Sequence, residues 1–254
     1  RRGAEHCLDL AKIETELGFR SSFNFVPERY PIPDGLIATL QQQGFEVGVH
    51  GLHHDGRLYQ SRTVFNERAA KINRYIREWG AVGFRSPAMH HNLEWLHGLD
   101  LLYDASTFDT DPFEPQPDGM QTILPFVVTE AGSGHHYVEL PYTLAQDFTL
   151  FILMQEHSIA IWRRKLAWIC EHRGMALLNT HPDYMEFGDG DSTPETYPVQ
   201  HYIHFLKHIK ERYAAGYWPT LPAGMARFWT QWQARSANGV VPDRPESPIA
   251  CEAH

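Results

Sequence analysis

His50 and His54 stand four residues apart in the run Val47-Gly48-Val49-His50-Gly51-Leu52-His53-His54-Asp55, where an apolar stretch stops at a glycine. Neutral imidazole is the commonest protein ligand for borderline cations such as zinc. A strand ending in a tight turn can aim two such rings at one point. A structural zinc takes about four protein ligands and a catalytic one about three plus water, so the pair calls for a further ligand elsewhere. His53 has the wrong spacing to join it. His90 and His91 have no spacing argument and read as bystanders.

Other polar groups fall at similar places along the chain. Arg85-Ser86-Pro87-Ala88 follows the apolar run at 81–84, Asp104 follows 101–103, and Thr180-His181-Pro182-Asp183 follows 175–179. A guanidinium fork suits a carboxylate held by two hydrogen bonds. An imidazole suits proton transfer near neutral pH. Catalytic groups at the C-terminal ends of successive strands are what a barrel enzyme keeps.

The elements that must position these groups alternate. The spacing of apolar residues predicts a helix from about residue 4 to Leu17, a strand at 21–26, a helix at 33–43 and a strand at 45–50. Next come a helix at 64–79, a strand at 81–85, a short helix at 93–99 and a strand at 101–107. Such alternation signals βα units around a parallel sheet. Residues 109–120 hold three prolines and four acids and read as a long loop. The segments 122–129 and 136–143 flank Ala131-Gly132-Ser133-Gly134 and read as a hairpin inserted beside the barrel. A helix at 156–173, a buried strand at 175–179, and helices at 199–213 and 223–234 complete the pattern. Trp162, Trp168, Tyr202 and Phe205 recur at helical intervals and are expected in the core.

The 254 residues fit one large domain, expected over 1–235 with an insertion at 109–143 and a Pro-rich tail at 236–254. Formal net charge is -9 without any Lys/Arg run, which argues against nucleic-acid or anionic-membrane partners. The three cysteines lack Cys-x-x-Cys spacing and read as free thiols. No apolar run reaches the roughly 18 residues needed to span a bilayer. No signal peptide is visible at Arg1-Arg2-Gly3, so a cytoplasmic location is the expectation. Oligomeric state has no signal in the sequence.

With the motifs in view, the chain from about residue 5 to about 215 resembles the polysaccharide deacetylase family, carbohydrate esterase family 4. His50-Gly51-Leu52-His53-His54 resembles the family's His-x-x-x-His metal motif. Arg85-Ser86-Pro87-Ala88 resembles its Arg-x-Pro motif, and Leu178-Asn179-Thr180-His181 its Leu-x-x-His motif. The resemblance implies a deformed (β/α)7 barrel and a divalent metal, zinc above all, on His50 and His54. It implies His181 as general acid, Arg85 as the holder of a catalytic carboxylate, and the Ala88 amide as an oxyanion donor, at a position where the family usually has an aromatic residue. A carboxylate orienting His181 is expected from Asp104, at a strand end, or from Asp111, in an Asp-Pro-aromatic stretch.

The family's metal-binding and general-base aspartates sit on a strand ahead of the first helix, and that strand is missing from these residues. Weak metal binding and low activity are therefore expected of this chain. The function implied is a metal-dependent hydrolase that removes acetyl groups from an N- or O-acetylated polysaccharide or oligosaccharide. The alternatives are a hydrolase of a small non-glycan amide on the same fold, and a catalytically inactive glycan-binding domain.

Overall fold

The computed structural model describes residues 3–114, 116–188, 193–214 and 216–237. Two compact units emerge from the contacts. One is Arg20–Thr143 with Leu221–Thr230; the other contains the first helix and Leu144–Thr220.

The first unit is built on a six-stranded sheet of β1 (Ser22–Phe25), β2 (Glu46–Val49), β3 (Gly83–Phe84), β4 (Tyr103–Asp104), β5 (Phe126–Thr129) and β6 (His136–Glu139), in the order β1-β2-β3-β4-β6-β5. Every pairing is parallel except β5 with β6. The hairpin anticipated beside the sheet is in fact part of it. Its second strand pairs with β4, Asp104 lying opposite Glu139. Helix α2 (Leu36–Gln42) links β1 to β2, and α3 (Arg62–Trp79) links β2 to β3.

Local chemistry sets the bounds of α3. Ser61 Oγ accepts from the Val64 amide at 3.2 Å, and Gly80 takes the left-handed conformation (φ 59°) that closes the helix. Phe65, Ala69, Ile72 and Ile76 recur every three or four residues and form its buried stripe. That stripe packs with Val49, Phe84, Leu96 and Leu99 in one apolar cluster. The helix expected at 93–99 is a single 3-10 turn, Trp95–Gly98.

The second unit is mostly helical. Helix α1 (Gly3–Leu17) buries Cys7, Leu10, Ala11 and Glu14. The Tyr202 hydroxyl donates to Glu14 Oε1 at 2.8 Å. Burial and then the nearby Asp183 push the Cys7 thiol up to about 12. The amide of Gly3 donates to Asp183 Oδ1 at 3.0 Å, and His6 stacks on Phe187 at 4.7 Å. The start of α1 thus sits on the segment that follows His181.

Helices α4 (Ala160–Glu171) and α5 (Gln200–Tyr213) close around Trp162, which is fully buried. Its indole donates to the Ala145 carbonyl at 2.7 Å, and its ring meets Phe151 and Phe205 at 4.9 and 5.0 Å. Trp168 departs from the expected core. It is 42% exposed, beneath the Lys165 ammonium, because it lies on the opposite face of α4. Strands β7 (Met185–Glu186) and β8 (Tyr197–Pro198) form a separate parallel pair.

The buried strand expected at 175–179 is a correction as well. Only Met175 is buried there, and the one ladder contact is an isolated bridge, Leu144 to Leu178. The apolar run at 148–153 is one π-helical turn that periodicity did not reveal. Helix α6 (Pro222–Ala237) is the last described element. The rest of the expected tail, 238–254, with Cys251, lies outside the described residues. Among the described residues no helix is long and apolar enough to cross a membrane.

Candidate functional site

His50 leaves β2 directly, its amide donating to the Phe25 carbonyl at 2.7 Å. Its Nδ1 lies 2.9 Å from the Arg85 carbonyl oxygen. A carbonyl can only accept, so Nδ1 carries the hydrogen, and in the neutral ring Nε2 keeps the lone pair, the arrangement a metal-ligating histidine needs. The His50 and His54 rings are 5.4 Å apart between centroids and tilted by 60°. Two imidazoles on one tetrahedral ion, each bound at 2.0–2.1 Å, would have centroids about 5 Å apart. The spacing therefore fits a shared cation.

What holds the turn is equally specific. Gly51 has φ 68°, and a Cβ there would meet Pro87 Cγ at 2.5 Å, so the histidine loop and the arginine loop touch at a point only glycine allows. One residue past His54, the Asp55 carboxylate is gripped by both terminal nitrogens of Arg68 on α3, each at 2.8 Å, which draws its pKa below the usual carboxylate range. The Arg29 guanidinium donates to the His54 carbonyl. His53 turns away to Glu28, which also meets Lys71 and Arg74.

Arg85 is buried, with Nε and Nη1 lacking a hydrogen-bond partner among the described residues. Burial pulls its pKa down, against the pull of the neighbouring Tyr103 and Asp104. Buried guanidinium N–H groups without an acceptor are costly. The two unfilled N–H groups fit a carboxylate. Ala88 and Met89 follow, both at φ 54°, left-handed positions that bulky residues avoid. Such strain costs on the order of 1 kcal/mol per residue. Ala88→Gly is therefore expected to stabilise the protein by about 1 kcal/mol, read as a higher midpoint in urea at unchanged slope; an unchanged midpoint would show that the turn is not strained.

Asp104 and Asp111 have partners of their own. Asp104 is fully buried, accepting from the Ser106 hydroxyl at 2.7 Å and the Ser106 amide at 3.0 Å, and the Ser86 amide donates to that hydroxyl at 2.8 Å. Asp111 accepts from the Phe113 amide at 2.9 Å and the Tyr142 hydroxyl at 2.8 Å. The carboxylate at His181 is neither of them. It is Asp147, whose Oδ1 lies 2.7 Å from His181 Nδ1 and whose Oδ2 accepts from the His181 amide, also at 2.7 Å. Asp147 is fully buried, and the Tyr197 hydroxyl and the Phe148 amide donate to it as well. Asp104 and Asp111 are held by Ser106, Phe113 and Tyr142, whereas Asp147 follows the Leu144–Leu178 bridge, which leads it to the His181 loop. Its signal was available: Asp147-Phe148 is an aspartate followed by an aromatic residue.

The cross-strand neighbours Asp104 and Glu139 are both fully buried. Glu139 accepts from the Thr107 hydroxyl at 2.6 Å, yet burial first and the Asp104 charge second raise its pKa well above the ordinary carboxylate range. A raised folded pKa favours the protonated form. The stability from this pair is thus complete below the unfolded Glu pKa near 4.3 and is lost as pH rises through the folded value. Glu139→Gln, which mimics the protonated acid, is expected to flatten that loss, gaining on wild type in denaturant melts as pH rises above about 4.3. A variant that tracks wild type across that range would show that Glu139 is ionised throughout.

Among the described residues no three His, Cys, Asp or Glu side chains gather as a metal site. His50 and His54 fit two positions of such a set. No protein-family model matches the sequence, and no curated protein matches it. Solved structures do. A Mycobacterium smegmatis protein described as a polysaccharide deacetylase is similar at TM-score 0.63 and 19% identity, over 97% of this chain and 81% of its own. A Pseudomonas aeruginosa protein described likewise is similar at 0.58 and 14%, over 90% and 73%. The fold is that of the polysaccharide deacetylases. An allantoinase shares this polysaccharide deacetylase fold, at TM-score 0.60 and 15% identity over 91% of this chain and 73% of its own. At these identities the likeness is one of fold.

Proposed function

We propose that this chain is a hydrolase of the deacetylase type that removes acetyl groups from an N- or O-acetylated glycan. The observation that carries the reading is the Asp147–His181 pair on a polysaccharide deacetylase fold. A buried carboxylate that accepts from Nδ1–H fixes the imidazole's tautomer, so Nε2 is the atom that exchanges a proton with a leaving amine or hydroxyl. Arg85 is suited to grip the carboxylate of a general base, and the Ala88 amide to meet a developing oxyanion. His50 and His54 would hold a divalent cation, zinc being the best match to two imidazoles. When bound, such an ion lowers the pKa of its water towards 7 and polarises a carbonyl. We read the six-stranded sheet as part of a deformed (β/α)7 barrel.

A second reading, hydrolysis of a small non-glycan amide, is favoured by the likeness to an allantoinase. The test is product release from acetylated chitooligosaccharides, acetyl esters and a panel of small cyclic amides, with and without zinc. Slow acetate release from the glycan, abolished by a chelator, is the expected result. Turnover of the cyclic amides alone would favour the second reading. Glycan binding without release of acetate would reduce the protein to a binding domain. In calorimetry His54→Ala is expected to weaken zinc binding at least about tenfold, and an unchanged affinity would remove His54 from the ligand set.

A further inference from the structure

We propose that Tyr197 is a positioning residue for the Asp147–His181 pair, an assignment that rests on reading His181 as the proton donor. Four donors converge on the Asp147 carboxylate. The His181 ring and the Phe148 amide each lie 2.7 Å from Oδ1; the His181 amide at 2.7 Å and the Tyr197 hydroxyl at 2.9 Å meet Oδ2. Among the described residues, Tyr197 supplies the one side-chain donor that comes from outside the His181 loop and the turn after Asp147.

Its placement is fixed by packing. Tyr197 lies on β8, in register with Met185 of β7, and is 2% exposed. The ring meets Phe151 at 4.6 Å and lies 9° from parallel with His201 at 6.2 Å. Burial and the Asp147 charge raise the phenol's pKa well above its ordinary value, so it remains a donor throughout the working pH range. Burial lowers the His201 pKa, which keeps that imidazole neutral at pH 7.

The groups facing His181 are Asp147 at its Nδ1, the Tyr184 ring at 5.3 Å, and Asp183 two residues on, whose carboxylate is engaged by the Gly3 amide. The phenol spreads the charge of Asp147 over one more hydrogen bond. Losing it concentrates negative charge beside the imidazole, which favours the imidazolium and leaves the carboxylate less firmly aimed.

The experiment follows the His181 ring by NMR in the full chain carrying 15N-labelled histidine, in wild type, Tyr197→Phe, Asp147→Asn and Tyr202→Phe. Tyr197→Phe is expected to raise the His181 midpoint by about half a unit to one unit while keeping the Nδ1–H tautomer. Asp147→Asn is expected to lower the midpoint and mix the tautomers. Tyr202→Phe removes a buried phenol that serves Glu14 and is expected to leave His181 unmoved. Difluorotyrosine at 197, a stronger donor of nearly the same shape, is expected to shift the midpoint downward, and it answers the question should the phenylalanine variant fold poorly.

An equal His181 midpoint in wild type and either Tyr197 variant, or an equal shift in Tyr202→Phe, overturns the proposal. In the acetate assay Tyr197→Phe is expected to lower kcat roughly tenfold at unchanged KM. An active wild type with an unmoved imidazole would sink the positioning role alone. Shifted midpoints in a protein that hydrolyses nothing would sink the deacetylase reading and leave the positioning of His181 standing.

Discussion

Asp147→Asn is expected to slow acetate release by about 10²–10⁴-fold while leaving the protein folded. The physical reason is a mismatch of donors. Four donors meet the two carboxylate oxygens, and an asparagine offers one acceptor and turns an NH2 towards two of them. If the NH2 faces His181, the ring must accept at Nδ1 and carry its hydrogen on Nε2, so in its neutral form the wrong atom is protonated. If it faces the opposite side, it opposes the Tyr197 hydroxyl and the His181 amide. Rates should be measured beside circular dichroism melts. A variant retaining more than about a tenth of wild-type activity would remove Asp147 from the proposed chemistry.

Gly83→Ala is expected to destabilise the first unit by about 3 kcal/mol or more. A Cβ at Gly83 would lie 2.0 Å from Tyr103 Cζ and 2.2 Å from its hydroxyl oxygen. Tyr103 cannot step aside. It is 2% exposed, its hydroxyl donates to Glu46, and Glu46 in turn accepts from the Ala223 amide at the start of α6. The cause can be isolated by a double-mutant cycle in urea. In a Tyr103→Ala background the same substitution should cost less than about 1 kcal/mol. A full-sized cost in that background would place the fault in the β3 backbone and not in the tyrosine ring.

These two positions also show what the sequence could and could not reveal. The helix read at 64–79 was legible because its apolar stripe recurs at helical spacing and Gly80 closes it, and the structure adds the Ser61 cap two residues earlier. His50 was legible because a strand, a glycine turn and a second imidazole stand within five residues, and the structure brings those two rings to 5.4 Å. Asp147 was not, because the residues that define its role come from positions 181 and 197, and the Asp-Pro-aromatic stretch at 111–113 competed with the Asp-aromatic pair at 147–148. Asp104 drew attention as an acid at a strand end, but its oxygens are spent on Ser106. The segment at 175–179 read as a buried strand because it is apolar, yet a short apolar run does not specify its partners. Gly83 carries no chemical signal at all. Its importance lies in a ring twenty residues away.

The thiol of Cys7 gives the His181 region a built-in clock. Burial raises its pKa to about 12, which keeps the thiolate scarce near neutral pH, and only the thiolate attacks a disulfide reagent. Cys7 sits one turn into α1, whose first residue is tied to Asp183 and whose His6 lies on Phe187. Labelling of Cys7 must then wait for the start of α1 to lift, and that movement uncovers the chain just beyond His181. The rate at which a thiol reagent consumes Cys7 is accordingly a measure of how often this part of the protein opens.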